Sequence, residues 1–161
     1  MLNIAKFILS ADFDVTRYSI SNSISSDGIF SSMYPFELIS QTNGLTVDES
    51  FLPNHFNFIS HSRKKNKSVS INFDELGLIK EYEIITKPDD LYIDNFNQLK
   101  SKKLFTDPIT QLFEYFLHQK SSNKTIIGGR RIYDWHAENI EGKTFDKRSS
   151  INFNGKALGL K

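Results

Sequence analysis

The sequence contains no cysteine, which excludes disulfide bonds, zinc–thiolate sites, iron–sulfur clusters and cysteine nucleophiles. The compartment stays open, because a chain without cysteine folds in reducing and in oxidising surroundings. An excess of charge of one sign is also lacking, since 20 basic and 19 acidic residues leave a net charge of +1. No global field would attract nucleic acid, so nucleic acid is not an expected partner.

Long hydrophobic runs are absent as well. No stretch approaches the ~20 apolar residues that span a bilayer, so we expect no transmembrane segment. The apolar N-terminal run is interrupted by Lys6 and no basic region precedes it, which argues against a signal peptide in this chain. On this basis the protein is either cytosolic or had a signal removed before Met1.

Motifs that bind cofactors or carry catalysis are missing too. The sequence has no phosphate-binding loop of the Gly-x-x-x-x-Gly-Lys-Ser/Thr type and no Gly-x-Ser-x-Gly nucleophile elbow. No two of the four histidines have the i, i+4 spacing of a helical zinc site. We therefore predict no cofactor and no metal, and a binding protein is favoured over an enzyme.

What the chain does have is apolar and aromatic material for one core. Its 161 residues are the usual length of one domain, and 14 of them are phenylalanine. Apolar and polar side chains alternate over Tyr18–Ile24 and Ser68–Phe73, as is typical of half-buried strands. The other strand candidates are Ala5–Leu9, Phe36–Gln41, Leu45–Phe51, His55–Ser62, Leu78–Thr86, Thr125–Ile127, Arg130–Ile140 and Ser149–Phe153.

Turn residues separate these strands. Asn43-Gly44 lies between two apolar runs and predicts a hairpin, because both residues tolerate positive φ. Asp12-Phe13-Asp14 and the basic stretch Arg63–Lys67 are also predicted turns, and Ile29–Tyr34 could be a helical turn. Lys87–Lys103 is a predicted long loop. A final hairpin signal at Asn154-Gly155 has a very short return arm, which suggests a natural chain that continues beyond Lys161.

One helix is predicted from about Asp107 to Lys120. Asp107 suits the N-cap and Pro108 the first helical position, where no amide hydrogen is needed. An apolar face follows at helical spacing and should pack in the core; it consists of Ile109, Leu112, Phe113, Phe116 and Leu117. The fold class expected from these patterns is therefore mainly β (α+β), an antiparallel sheet with this helix packed on it.

The order of several short motifs resembles the bacterial exported proteins grouped as domain-of-unknown-function family 3108. The motifs are Thr42-Asn43-Gly44 followed by Leu52-Pro53-Asn54-His55-Phe56, Thr106-Asp107-Pro108-Ile109-Thr110-Gln111-Leu112, Gly129-Arg130-Arg131-Ile132-Tyr133-Asp134 and Asn154-Gly155-Lys156-Ala157-Leu158. The likeness spans roughly residues 5–160, with Gly128 where the family has Asp.

This resemblance implies a curved antiparallel sheet or open β-barrel with one principal helix packed on it, a periplasmic location and no established activity. It also implies a single domain over residues 1–161 that is truncated at both ends relative to its relatives, with the opening strand and the closing strands missing.

The most conspicuous candidate site is Gly128-Gly129-Arg130-Arg131. Two glycines and two guanidinium groups suit an anion, but a hairpin turn whose arginines point to opposite faces explains the same residues. Tyr133 and Trp135 follow on the same strand. They could line a ligand groove or pack in the core.

Three functions are open at this point. The first is binding of a hydrophobic small molecule or lipid, or of an envelope component, on the curved sheet, with Arg130, Arg131, Tyr133 and Trp135 as candidate ligand-binding residues. The second is a scaffold or assembly module that uses exposed sheet edges. The third is an envelope hydrolase, which would require His136, Asp134 and Arg131 to cluster around one pocket.

Overall fold

The computed structural model describes residues 4–48, 50–85, 96–100, 104–118, 122–128 and 131–137, and of residues 122, 131, 136 and 137 only the backbone. The larger of its two sheets is antiparallel and its six strands follow chain order. The strands are β1 (Ala5–Phe13), β2 (Arg17–Ser26), β3 (Phe36–Val47), β4 (Ser50–Ser62), β5 (Asn66–Phe73) and β6 (Ile79–Ile84). The sheet is not closed into a barrel, because β1 and β6 are not paired.

A smaller sheet and three helical segments complete the described part of the chain. The short β7 (Phe105–Thr106) pairs in parallel with β8 (Ser122–Gly128), and β8 pairs antiparallel with β9 (Arg131–Ala137). Helix α1 covers Ile29–Met33 and helix α2 covers Pro108–His118, while residues 96–99 are also helical. The predicted class, a mainly β protein with one principal helix on an open antiparallel sheet, is confirmed.

The two faces of the large sheet differ in composition. The register places alternate residues of neighbouring strands side by side, as pleating requires. We call the side that meets α2 the inner face. It carries Phe7, Leu9, Ala11 and Phe13 from β1, Tyr18, Ile20, Asn22 and Ile24 from β2, Leu38, Ser40, Thr42 and Gly44 from β3, and Phe56 and Phe58 from β4. The opposite, outer face is rich in Ser, Asn and Gln.

One hydrophobic core joins both sheets and α2. Ile20 and Ile71 of the large sheet and Ile127 and Ile132 of the small sheet are almost completely buried and belong to the same cluster as Ile109 of α2. Burial of aliphatic side chains of this size stabilises by roughly 1.5–3 kcal/mol each. The helix and the small sheet therefore pack on the large sheet through one shared core.

The predicted hairpin at Asn43-Gly44 is wrong. Both residues lie inside β3, where the pairing with β4 shifts register. A Cβ on Gly44 would lie 2.0 Å from the Leu52 carbonyl oxygen and 2.7 Å from Tyr18 Cε1. Glycine is required at this position because the backbone of β4 and the Tyr18 ring lie too close for a side chain. The turn between β3 and β4 lies instead near Asp48, which has φ 48°.

Of the other predicted turns and strands, some are confirmed and some are wrong. The predicted turn at Asp12-Phe13-Asp14 begins too early, because β1 continues to Phe13 and the chain turns between Asp14 and Arg17. The helical turn within Ile29–Tyr34 is confirmed, and so is the basic turn over Arg63–Lys65, although β5 already begins at Asn66. The strand predicted over Leu45–Phe51 is interrupted, since β3 ends at Val47 and β4 starts at Ser50.

Some predictions fall wholly or partly outside the described residues. These are the strand Ser149–Phe153, the hairpin at Asn154-Gly155, most of the loop Lys87–Lys103, the helix end at Lys120 and the last residues of Arg130–Ile140.

Candidate functional site

The start of α2 is fixed by a buried carboxylate. Asp107 Oδ1 accepts hydrogen bonds from the backbone N–H groups of Ile109 and Thr110, both at 2.9 Å. This is the N-cap arrangement predicted from the sequence, since these amides have no partner within the helix. Asp107 is fully buried, so its second oxygen must also find donors inside the protein.

Those donors come from the helix itself and from the large sheet. Asp107 Oδ2 accepts hydrogen bonds from the hydroxyls of Thr42 at 2.8 Å and Thr110 at 2.5 Å. The Tyr18 hydroxyl lies 2.8 Å from Thr110 Oγ1. Four side chains, from β2, β3, α2 and the N-cap of α2, thus form one buried polar network that attaches the helix to the inner face.

Burial sets the charge behaviour of this network. Desolvation raises the pKa of Asp107 above its ordinary value, although the hydrogen bonds from Thr110, Thr42 and Ile109 act in the opposite direction. Desolvation, with the nearby Asp107 carboxylate as the second cause, also raises the pKa of Tyr18, which keeps its phenol neutral. The network is enclosed by its own protein donors, and we assign it a structural role.

The network also determines which side of α2 is buried. Thr110 and Gln111 are fully buried beside Ile109, whereas Leu112, Phe116 and Leu117 are 36%, 52% and 54% exposed. The prediction that the whole apolar helix face packs in the core is therefore wrong. Because Thr110 binds Asp107 and Tyr18, the helix turns its first residues towards the sheet and leaves part of its apolar face uncovered.

Of these side chains, Leu112 and Phe116 form part of the wall of a cavity of about 470 Å³ between α2 and the inner face. Most of its lining is aromatic or aliphatic and comes from β1, β4, α2 and the β8–β9 hairpin: Phe7, Leu9, Phe56, Phe58, Pro108, Ile109, Leu112, Phe113, Phe116, Gly128 and Tyr133. The volume lies within the roughly 300–1,000 Å³ typical of small-molecule sites. We refer to this cavity as the inner-face pocket.

Two polar side chains also line the pocket, on its sheet side. Ser40 donates a hydrogen bond to Asn22 Oδ1, and the two residues are direct cross-strand neighbours on β3 and β2. Ser40 is buried, and Asn22 is half-buried. With its oxygen occupied by Ser40, the Asn22 amide still has N–H groups to offer a carbonyl or carboxylate oxygen.

The four ligand-binding candidates from the sequence have different positions. Tyr133 lines the inner-face pocket. Trp135 is only 7% exposed and packs edge-on against Tyr115 of α2, with ring centroids 6.4 Å apart. Arg130 lies outside the described residues, and Arg131 is described by its backbone alone, as the partner of Gly128 in the β8–β9 hairpin.

A second, wider depression of about 820 Å³ borders Trp135. Its lining includes the polar residues Asn123, Lys124 and Asp134, and Lys124 forms an ion pair with Glu114 at 2.5 Å. It is more open to solvent than the inner-face pocket, so we take the inner-face pocket as the candidate site.

The residues considered for catalysis or metal binding are placed as follows. Asp134 is exposed, and its carboxylate accepts a hydrogen bond from Thr125 at 3.4 Å. Arg131 and His136 are described by their backbone alone. His55 and His61 contact Asn72 and Asn66. Within the described ranges no three His, Asp or Glu residues are grouped to hold a metal ion.

Sequence reasoning missed most of the pocket. Phe7, Leu9 and Phe58 belong to predicted strands, but nothing in the sequence sets the register that brings them opposite α2. Asn22 and Ser40 each occupy an inward position of an alternating segment, where an apolar residue is expected. A polar residue at such a position is the signal that could have found them.

Comparison with protein-family models, with curated proteins and with solved structures finds no match to this chain. The resemblance to domain-of-unknown-function family 3108 therefore stays a prediction. Of the helices that the structure describes, none is long and apolar enough to cross a bilayer. Fold and pocket together define a mainly β protein with an apolar cavity between a sheet and a helix.

Proposed function

We propose that this protein binds an amphipathic small molecule, with an apolar body and an oxygen-bearing head group, in the inner-face pocket. The observation that carries the proposal is the cavity itself, since apolar side chains from β1, β4, α2 and β9 converge on a space between the helix and the sheet. Phe7, Leu9 and Phe116 are each about half exposed there. An apolar ligand would remove their surface from water.

The polar pair indicates which class of ligand fits. An entirely apolar ligand would bury the Asn22 amide without a partner, at a cost of about 1–3 kcal/mol. A carboxylate or carbonyl oxygen near Asn22 would avoid that cost, while a hydrocarbon chain lies against Phe58, Leu112 and Phe116. A long-chain fatty acid has this chemistry. The apolar-ligand function and the periplasmic location implied by the family resemblance are compatible with this proposal.

The test uses a fluorescent apolar probe and a competitor. N-phenyl-1-naphthylamine emits strongly in apolar surroundings, so binding to the purified protein should raise its fluorescence, and dodecanoate should displace it. Phe116→Glu would place a charge on the pocket wall and should weaken probe binding about tenfold or more.

Leu117→Glu is the matched control. Leu117 is the next residue of α2 and is 54% exposed against 52% for Phe116, but it does not line the pocket. The affinity of the Leu117→Glu variant for the probe should stay within about twofold of the wild type, because the same charge is then added outside the cavity. Equal loss in both variants, or no probe binding to the wild type, would refute the proposal.

A further inference from the structure

Strand β1 forms one edge of the large sheet. It is 9 residues long and pairs with β2 over its whole length, while its other side has no strand partner among the described residues. Edge strands of this length usually carry features that prevent further pairing. Strand β1 carries two charged residues, Lys6 and Asp12, but it also exposes apolar side chains on both faces of the sheet, with Phe7 at 59% and Ile8 and Leu9 at 49%.

The direction of the unused backbone groups follows from the ends of the β1–β2 ladder. Asp27 N–H donates to the Ile4 carbonyl at 3.1 Å, and Asp14 N–H donates to the Arg17 carbonyl at 2.9 Å. Backbone direction alternates along an antiparallel strand, so the even-numbered residues of β1 point their N–H and C=O groups towards β2. The odd-numbered residues point theirs to the free edge; they are Ala5, Phe7, Leu9, Ala11 and Phe13.

We propose that β1 pairs with β1 of a second copy of this chain, antiparallel and centred on Leu9, to give a two-fold symmetric dimer with a continuous sheet. In such a pairing the backbone N–H and C=O groups at the free edge of one β1 must bond to those at the free edge of the other. Odd-numbered residues therefore lie opposite odd-numbered residues. Centring on Leu9 uses all of β1. It forms roughly ten hydrogen bonds between the two strands.

The side chains of β1 complement themselves in this register. Lys6 of one copy lies opposite Asp12 of the other, and the symmetry makes this ion pair twice. Both residues are exposed and on the outer face. They form a non-hydrogen-bonded pair, in which side chains are closest. On the inner face Phe7 lies opposite Ala11, a large residue against a small one.

The charges on β1 therefore select among partners. A single lysine on an edge strand discourages pairing with a strand that has no acidic side chain opposite the lysine. Here the second copy supplies Asp12 at the required position. The two-fold axis also brings both copies of Leu9 together, so the β1 walls of the two inner-face pockets adjoin. The dimer does not depend on ligand binding.

The direct test is a zero-length carbodiimide cross-link, which joins an amine to a carboxylate only in contact. Within one chain Lys6 and Asp12 are about 20 Å apart along the strand, so a Lys6–Asp12 cross-link must join two copies. Digestion and mass spectrometry of a mixture of ¹⁴N and ¹⁵N protein should find this peptide pair with mixed labels. Its absence from a cross-linked dimer would overturn the proposed register.

A charge exchange tests the same contact by affinity. Lys6→Asp and Asp12→Lys should each weaken the dimer about tenfold in sedimentation equilibrium, since both ion pairs become like-charge pairs. Mixing the two variants, or combining both changes in one chain, should restore wild-type affinity. The control Lys80→Asp makes the same charge change on β6, at the opposite edge, and should leave the dimer intact. A wild type that stays monomeric, or a loss with Lys80→Asp equal to that with Lys6→Asp, would overturn the proposal.

Discussion

The hydroxyl of Thr42 donates a 2.8 Å hydrogen bond to the buried carboxylate of Asp107, 65 residues further along the chain. This contact attaches the first turn of α2 to the middle of the large sheet. Because the helix is held at its N-terminal end, its later residues Leu112 and Phe116 remain partly uncovered and form the wall of the inner-face pocket. The polar network therefore determines where the pocket lies.

Removing the Thr42 hydroxyl should destabilise the protein. Thr42→Val keeps the shape of the side chain but leaves the buried Asp107 oxygen with one donor fewer, at an expected cost of about 2 kcal/mol in the free energy of unfolding. Thr42→Ser retains the hydroxyl and should cost less than about 1 kcal/mol. Urea unfolding measures both variants. Equal losses would mean that the hydrogen bond contributes nothing beyond packing.

The raised pKa of Asp107 predicts a specific pH dependence. As pH falls through the folded-state pKa towards the ordinary value of 3.8, the native state takes up a proton before the unfolded state does. This group therefore contributes more to stability at lower pH, by about 1.4 kcal/mol for each unit that separates the two pKa values.

The Asp107→Asn variant cannot take up a proton at this position, so it is the reference for the pH dependence. The free energy of unfolding of the wild type minus that of Asp107→Asn should increase as pH is lowered from neutral towards 4, in urea titrations at matched pH. A difference that decreases on acidification would instead indicate a lowered pKa, with the hydrogen bonds from Thr42 and Thr110 outweighing desolvation.

Gly44 should tolerate no side chain. Gly44→Ala would place a methyl group against the Leu52 carbonyl and the Tyr18 ring, and we expect a loss of about 3 kcal/mol. Gly128→Ala is the control, because its nearest neighbour would be Pro108 Cγ at 3.1 Å. That loss should stay below about 1 kcal/mol. Thermal unfolding compares the two, and similar melting temperatures would contradict the close approach at Gly44.

The Asn22 amide should distinguish between ligands by their head groups. Asn22→Leu removes the N–H donors and adds apolar surface, so it should weaken dodecanoate binding about tenfold while N-phenyl-1-naphthylamine binds as well as before or better. Asn57→Leu, the same substitution at a position on the outer face of β4, is the control. Isothermal titration and probe fluorescence measure the two affinities. A parallel change in both would show that Asn22 does not contact the head group.

Local patterns predicted the elements of this fold better than their arrangement. The Asp107–Pro108 start of α2 was predicted correctly because capping depends only on adjacent residues. The Asn43-Gly44 prediction failed because the reason for that glycine is a contact with Tyr18 and Leu52, which no local pattern reveals.

The pocket was the harder prediction for the same reason. The apolar spacing of α2 is real, but Thr110 and Gln111 take buried positions, and Thr42 and Tyr18 lie opposite Thr110 on the sheet. The aromatic strand segment that contains Tyr133 predicts either a groove lining or a core position, and in the structure Tyr133 lines the cavity. Its partners across the cavity depend on strand register, which the sequence does not specify.

The most direct test of ligand binding in the inner-face pocket is a nuclear Overhauser experiment on methyl-labelled protein with dodecanoate. The account predicts contacts from the hydrocarbon chain to the methyl groups of Leu9, Ile109 and Leu112, which line the pocket. Ile8 and Ile39 on the outer face, and Leu117 beside the pocket, should show none. Contacts to the methyl groups of Ile8, Ile39 and Leu117 in place of these, or no contacts at saturating dodecanoate, would contradict ligand binding in the inner-face pocket.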